Sequence, residues 1–326
     1  MDVAAFCQES RVLVVAGKGG VGKTTVAAAL GRMAAEAGRS VLLVELEGKA
    51  GIAAAYGRSG PLDYEETALS PVGGGQGGGT VRGRRITPDD ALLEYLADHG
   101  LHRVSRRLAH SGVLDLVATA IPGIRDVLVL GKVKQLERDR VADLIVVDAP
   151  ATGHAVTFLT SAAGLLDAAR SGPVRTQAAD VVELLQDPAR CRVVLVTLPE
   201  EMPVSETIEA AYQLEDRAGV QLGPVVVNGW DEAPPELATP VAEAAGAAGV
   251  ALSDDQAAGL EAARTFRLHR RDLAAAQVEH LGRELPLPQL RLPDLDAASI
   301  GPAELGVLAE ALAAGVRALP PTRGAA

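Results

Sequence analysis

A three-layer α/β fold, with a mostly parallel sheet covered by helices on both faces and a helical subdomain inserted, is what this sequence predicts. Three observations carry that expectation. A short apolar run, RVLVVA, feeds a glycine-rich turn and then a helix-forming stretch, TTVAAALGRMAAEA. Further apolar runs (SVLLVE, ADLIVVD, CRVVLVT and GPVVVN) recur along the chain, and unalternated runs of this length suit strands buried on both faces. Strand and helix patterns alternate nearly to the end, as in a parallel sheet with crossover helices.

Composition bounds the function. The chain has 326 residues, 48% hydrophobic and 22% charged, but only 2% aromatic. It is a globular protein whose core is built from Val, Leu, Ile and Ala. Its net charge of −11 argues against a surface devoted to nucleic acid or anionic lipid. Cys7 and Cys191 form no C-x-x-C, so no disulfide framework, zinc site or iron–sulfur site is expected in one chain. Cys191 opens an apolar strand and is read as core, whereas Cys7 is read as lying in a mobile N-terminus. The first residues, MDVAAFCQESR, lack a basic and then apolar leader, and no run has membrane-grade apolarity. A cytoplasmic protein with no integral membrane segment is expected.

The stretch from Arg11 to Thr25, RVLVVAGKGGVGKTT, is the chemical centre. Gly17, Gly22, Lys23 and Thr24 fit G-x-x-x-x-G-K-[ST], in which loop amides wrap nucleotide phosphates, the lysine bridges β- and γ-phosphates, and the hydroxyl binds Mg²⁺. Glycine at 17, 19, 20 and 22 lets the backbone approach phosphate oxygens closely. The helix expected from Thr24 to Ala37 points its N-terminus at them, where unpaired N–H groups and the dipole favour negative charge. Lys18, directly after the first glycine, offers a second cation near the γ-phosphate; its alternative is a solvated loop lysine.

In chain order, Gly38 offers a helix cap and Ser40 to Glu45 the second strand. Glu47 follows just past that strand's carboxyl end, where ligands collect in open α/β sheets. Residues 71–79, PVGGGQGGG, are expected as a flexible, exposed loop. Thr80 to Ile86 is a possible strand. Thr87, Pro88, Asp89 and Asp90 start a helix to about His99. Further helices are expected over Leu101 to Ala120 and Gly123 to Arg138, with Arg103, Arg106, Arg107, Lys132, Lys134 and Arg138 as solvated faces or, alternatively, as a client or partner contact. Ala142 to Asp148 is the next strand; an acid at that place suits holding Mg²⁺ and its waters, the alternative being a turn aspartate. Helices over 155–169 and 177–185 and a strand from Cys191 to Thr197 follow. Then come a helix behind Ser205 and a strand ending at Asn228. Residues 231–249 are poorly specified. Ser253 starts a long helix to about Gly282, LPLPQLRLP gives a last strand, and Pro302 to Leu319 a closing helix.

K-G-G-V-G-K-T-T resembles the deviant loop of the signal-recognition, MinD and BioD class of P-loop NTPases. More widely, AGKGGVGKTT, VLLVELEGKAGI, IPGIRDVLVLGKVKQL, DAPATGH, LPEEMPVSET, PVVVN and LPLPQL resemble, in order, the family of the arsenical-pump ATPase and the guided-entry ATPase for tail-anchored proteins, most of all a single-length bacterial branch without zinc-binding cysteines. The resemblance implies that Gly17, Gly19, Gly20, Val21, Gly22, Lys23, Thr24 and Thr25 wrap the phosphates, with Thr24 also on the metal. It implies that Lys18 crosses a dimer interface, that Asp148 stands near Mg²⁺, and that Thr152 and Gly153 sense the γ-phosphate while His154 hydrogen-bonds in the switch loop. Asn228 would read the adenine edge, as its donor–acceptor amide suits, or else cap a loop.

Three departures stand out. Where the family's first switch has Asp-Pro, this chain has Glu47 and Gly48; misplacement of about 1 Å can cost on the order of a hundredfold in rate. The zinc cysteines are missing. Met1, Met33 and Met202 are the only methionines, so a client groove would lack methionine's adaptability.

The expectation is one P-loop ATPase domain over 1–326, with helical inserts at 87–140 and 155–187. It would hydrolyse ATP with Mg²⁺ through Lys18, Lys23, Glu47 and Asp148, and open and close as a homodimer or a heterodimer with a paralogue around a hydrophobic client. The alternatives are an ATP-binding, weakly hydrolysing scaffold subunit of such a pair, and a partition or MinD-like positioning ATPase. The last is disfavoured because the closing helix has one arginine and no aromatic residue to seek a membrane.

Overall fold

The computed structural model describes residues 1–46, 51–71, 78–98 and 123–320, and all that follows concerns those residues. The strands are β1 (Val12–Gly17), β2 (Ser40–Glu45), β3 (Thr67–Pro71), β4 (Thr80–Arg85), β5 (Leu144–Ala151), β6 (Cys191–Thr197), β7 (Val225–Trp230) and β8 (Gln289–Pro293). They form a single sheet in the order β3-β4-β2-β5-β1-β6-β7-β8. Only the β3–β4 pair is antiparallel.

Side chains alternate between faces along a strand, so each continuous apolar run feeds two cores. On one face, Leu13 and Val15 of β1, Leu43 of β2 and Val146 of β5 pack with the helices Lys23–Glu36 and Pro302–Ala318. On the other, Val12, Val14, Leu42 and Val147 meet the helices Ile124–Arg138, Thr152–Ala168, Pro173–Gln186 and Glu201–Ala218. The result is the three-layer α/β architecture that the alternation predicted.

Local signals explain most boundaries. Thr87 caps the helix Pro88–Asp98, accepting from the Asp90 amide at 3.2 Å. Ser253 and Gln256 make a reciprocal capping box ahead of the 31-residue helix Asp254–Glu284.

Several expectations need correction. Cys7 is not in a mobile terminus: the short helix Val3–Phe6 docks it into the core, and the Met1 ammonium donates to the Leu319 carbonyl at 2.8 Å. Burial pushes both the Cys7 and Cys191 thiols up to about 12. The two cysteines belong to cores on opposite faces of the sheet. Lys132 is not solvated but 7% exposed, paired with Glu94 at 2.5 Å, and Lys134 pairs with Asp180. Their partners come from two other helices, Pro88–Asp98 and Pro173–Gln186, which a stripe of lysines on one helix does not reveal. Arg138 is exposed as expected; Arg103, Arg106, Arg107 and the helix expected over 101–120 lie outside the described residues.

Some elements were not anticipated. β3 pairs with β4 across the 71–79 tract, so Pro71 lies opposite Thr80. Gly79 donates to the Ala35 carbonyl at 2.8 Å, and 72–77 lie outside the described residues. The poorly specified 231–249 stretch contains a 3₁₀ turn, Pro235–Ala238, and the helix Val241–Ala248.

Candidate nucleotide site

β1 lies between β5 and β6, so the turn that follows it opens at the carboxyl edge of the sheet, where ligands collect in folds of this kind. Gly17 ends β1 because nothing larger fits: a Cβ there would sit 2.3 Å from the Val196 carbonyl oxygen of β6. Gly22 takes a left-handed conformation (φ +91°) as the cap of the helix Lys23–Glu36, and no side chain caps that helix. Its first-turn amides therefore face the carboxyl edge without a side-chain acceptor, as an anion site at a helix N-terminus requires.

The polar groups of the loop are held by one another. The Thr24 hydroxyl donates to Asp148 Oδ2 at 2.6 Å, and Lys23 Nζ donates to the Lys18 carbonyl at 3.1 Å. Lys18 Nζ pairs with Glu206 Oε1 at 2.6 Å. Asn228, in β7, donates from Nδ2 to the Val21 carbonyl at 2.9 Å. That amide also explains Gly22 a second time, since a Cβ at 22 would lie 2.3 Å from Asn228 Nδ2.

Lys18, Lys23, Thr24, Asp148 and Asn228 thus converge on one loop from β1, β5 and β7, together with the backbone of Gly19, Gly20, Val21 and Thr25. Thr152 and Gly153 open the helix Thr152–Ala168 directly after β5. Glu47 and Gly48 lie outside the described residues. Three residues were passed over. Glu206 partners Lys18 from a helix remote in sequence, and no local pattern marks it. Glu45 is buried at the end of β2, beside Asp148 in register and on the same face; as the acid that closes the apolar run SVLLVE it carried a sequence signal of its own. Gly51 must stay small, for its Cβ would lie 2.7 Å from Thr24 Cγ2.

Mg²⁺ prefers hard oxygen donors and keeps several waters. The paired Thr24 hydroxyl and Asp148 carboxylate fit that preference, on a buried floor beneath the loop.

No helix among the described residues is long and apolar enough to cross a membrane. The CobQ/CobB/MinD/ParA nucleotide binding domain matches residues 12–233. ATPase BagA of Mycobacterium tuberculosis (strain ATCC 25618 / H37Rv) is 38% identical over 323 residues, spanning 93% of this chain and 92% of that one. The arsenical pump-driving ATPase of Escherichia coli is 28% identical over 222 residues, 68% of this chain and 35% of that protein. The ATPase get3 of Schizosaccharomyces japonicus is 29% identical over 147 residues, 45% and 42% of the two chains. With the glycine loop, its two lysines and the strand-end acid in one place, and with these relatives, the chain belongs to the arsenical-pump and Get3 family of P-loop ATPases.

Proposed function

We propose that the protein hydrolyses ATP with Mg²⁺ at the loop 17–25, and that two subunits close on the nucleotide to control a partner or hydrophobic client in the cytoplasm. The observation that carries this reading is the Thr24–Asp148 contact at 2.6 Å beneath an uncapped helix N-terminus. Thr24 and Asp148 would hold Mg²⁺, Asp148 through its waters, and the ion would neutralise charge on the β- and γ-phosphates.

The chain's own groups do the rest. Lys23 exchanges the Lys18 carbonyl for phosphate oxygens, and the amides of 19–25 wrap them. Asn228 turns its amide from Val21 to the adenine edge, while Thr152 and Gly153 respond to the γ-phosphate. Lys18 leaves Glu206 and reaches the partner's nucleotide, adding a cation where charge gathers on the transferring group. No side-chain nucleophile is needed, because phosphoryl transfer to water proceeds by positioning and charge stabilisation. Glu47 orients the water.

Calorimetry with MgATP, alongside phosphate release, tests the reading. Wild type is expected to bind and release phosphate, and Lys23→Ala to lose both while keeping its circular dichroism spectrum. Unchanged binding in Lys23→Ala would defeat it. Glu47 and Gly48 in place of Asp-Pro favour a second reading, a binding subunit that hydrolyses slowly; heat of binding without phosphate release, restored by a paralogue, would select it.

A further inference from the structure

Leu43 of β2 and Val146 of β5 pack on the face that carries the helix Lys23–Glu36. Side chains alternate along a strand, so Glu45 and Asp148, each two residues further on, point to that same face, in register with each other. Arg85 of β4 stands in register on the far side of Glu45. Across the carboxyl edge the row therefore runs Arg85, Glu45, Asp148 and then β1, which ends in the phosphate loop. Both acids lie on the loop side of the cation.

Neither acid is at the surface: Glu45 is 1% exposed and Asp148 9%. Asp148 accepts from the Thr24 hydroxyl at 2.6 Å. A second carboxylate thus stands one strand away, a backbone spacing of about 5 Å, from the oxygen pair that suits Mg²⁺. Like charges at that spacing repel strongly where water is largely excluded. A hydrophobic residue would close the strand without burying a charge. A divalent cation reverses the balance, because both carboxylates attract it. Phosphate arriving without its metal meets the opposite, two acids opposing it instead of one.

We propose that Glu45 is a positioning residue that makes nucleotide binding depend on the metal. Its carboxylate, with that of Asp148, draws Mg²⁺ and its waters to the loop and repels phosphate that comes without the ion. This role rests on the reading of loop 17–25 as a Mg²⁺–nucleotide site, and it is separate from the orientation of water assigned to Glu47.

Calorimetry with adenylyl imidodiphosphate, an ATP analogue that is not hydrolysed, tests it in excess Mg²⁺ and again in EDTA. Glu45→Gln keeps the shape of the side chain and drops its charge. With normal circular dichroism, it is expected to weaken binding in Mg²⁺ by at least about threefold and to strengthen binding in EDTA by at least about tenfold, as removal of one close charge does. Glu45→Asp keeps the charge and should keep the preference for the metal-bound form. Glu45→Ala, smaller and neutral, should match Glu45→Gln and takes its place where the amide does not fold. Mn²⁺ titrated into the complex with the analogue, followed by electron paramagnetic resonance, gives a second readout: its affinity should fall at least about tenfold in Glu45→Gln. A change of the same sign in both media, as a loosened strand would give, overturns the proposal, and so does an unchanged Mn²⁺ affinity. Wild type that binds the analogue in neither medium would defeat the reading of the loop itself. Wild type that binds, with a metal dependence that Glu45→Gln leaves unmoved, defeats only the role of Glu45.

Discussion

From Val26 to Ala35 the helix Lys23–Glu36 is buried at every position but Arg32, whereas the helix Asp254–Glu284, more than twice as long, buries only Val278 and Leu281. The first has no side-chain cap; the second begins with a complete capping box and carries pairs such as Glu279 with Arg283 at 2.9 Å. Most helical stability in proteins comes from packing rather than propensity. A helix fixed by packing can therefore leave its N-terminal amides uncapped for a ligand. One that packs little must satisfy its own ends, which leaves its exposed face available for something else.

The comparison breaks if the packed helix tolerates truncation. Leu30→Ala should cost about 2–5 kcal/mol, read as a lower urea midpoint at unchanged slope. Leu30 is fully buried among the side chains of the face that carries the phosphate loop, so nucleotide affinity should weaken with it.

The Lys132–Glu94 pair joins two helices on the opposite face and should give the next largest effect. Burial pushes the Glu94 carboxyl up, but hydrogen bonds from Lys132 and Tyr64 outweigh it and hold the group below its ordinary value. Lys132→Met should cost about 1–3 kcal/mol, less than a fully buried pair, because Glu94 is a third exposed. A lowered folded value stabilises above the unfolded one and is lost as pH falls through the folded one. Wild type and variant should therefore differ most near neutrality and converge below about pH 4; urea titrations at several pH values check this.

The helix Asp254–Glu284, an arm that buries only Val278 and Leu281, should answer differently. Ser253→Ala removes half of its capping box and should cost about 1 kcal/mol. The loss should appear as faster amide exchange in the first turns after residue 253, with the global urea midpoint unmoved, because the arm opens separately from the sheet. A matching fall in global stability would mean that the arm is part of the packed core.

This contrast also explains what the sequence made legible. RVLVVA and SVLLVE announce strands because burial on both faces leaves no polar residue within the run to confuse the period, and Gly17 and Gly22 are needed because a carbonyl crowds one and an amide the other. The same reasoning could not find Lys132, whose partner Glu94 lies far along the chain, or Glu206, which meets Lys18 only once the helix Glu201–Ala218 is placed against the loop. β3 escaped because its five residues, TALSP, include a proline and a serine and run at the sheet edge, where proline is tolerated. The exposure of Phe266 and Leu273 on the helix Asp254–Glu284 was not legible, since apolar residues at that spacing would equally suit a core.

The smallest expected effect is the most direct probe of that last ambiguity. Leu273 is 54% exposed, so in dilute, monomeric protein Leu273→Ala should change the urea midpoint by no more than about 0.5 kcal/mol, against the several kcal/mol expected for Leu30→Ala. A loss as large as that of Leu30→Ala would instead mean that Leu273 packs against the body.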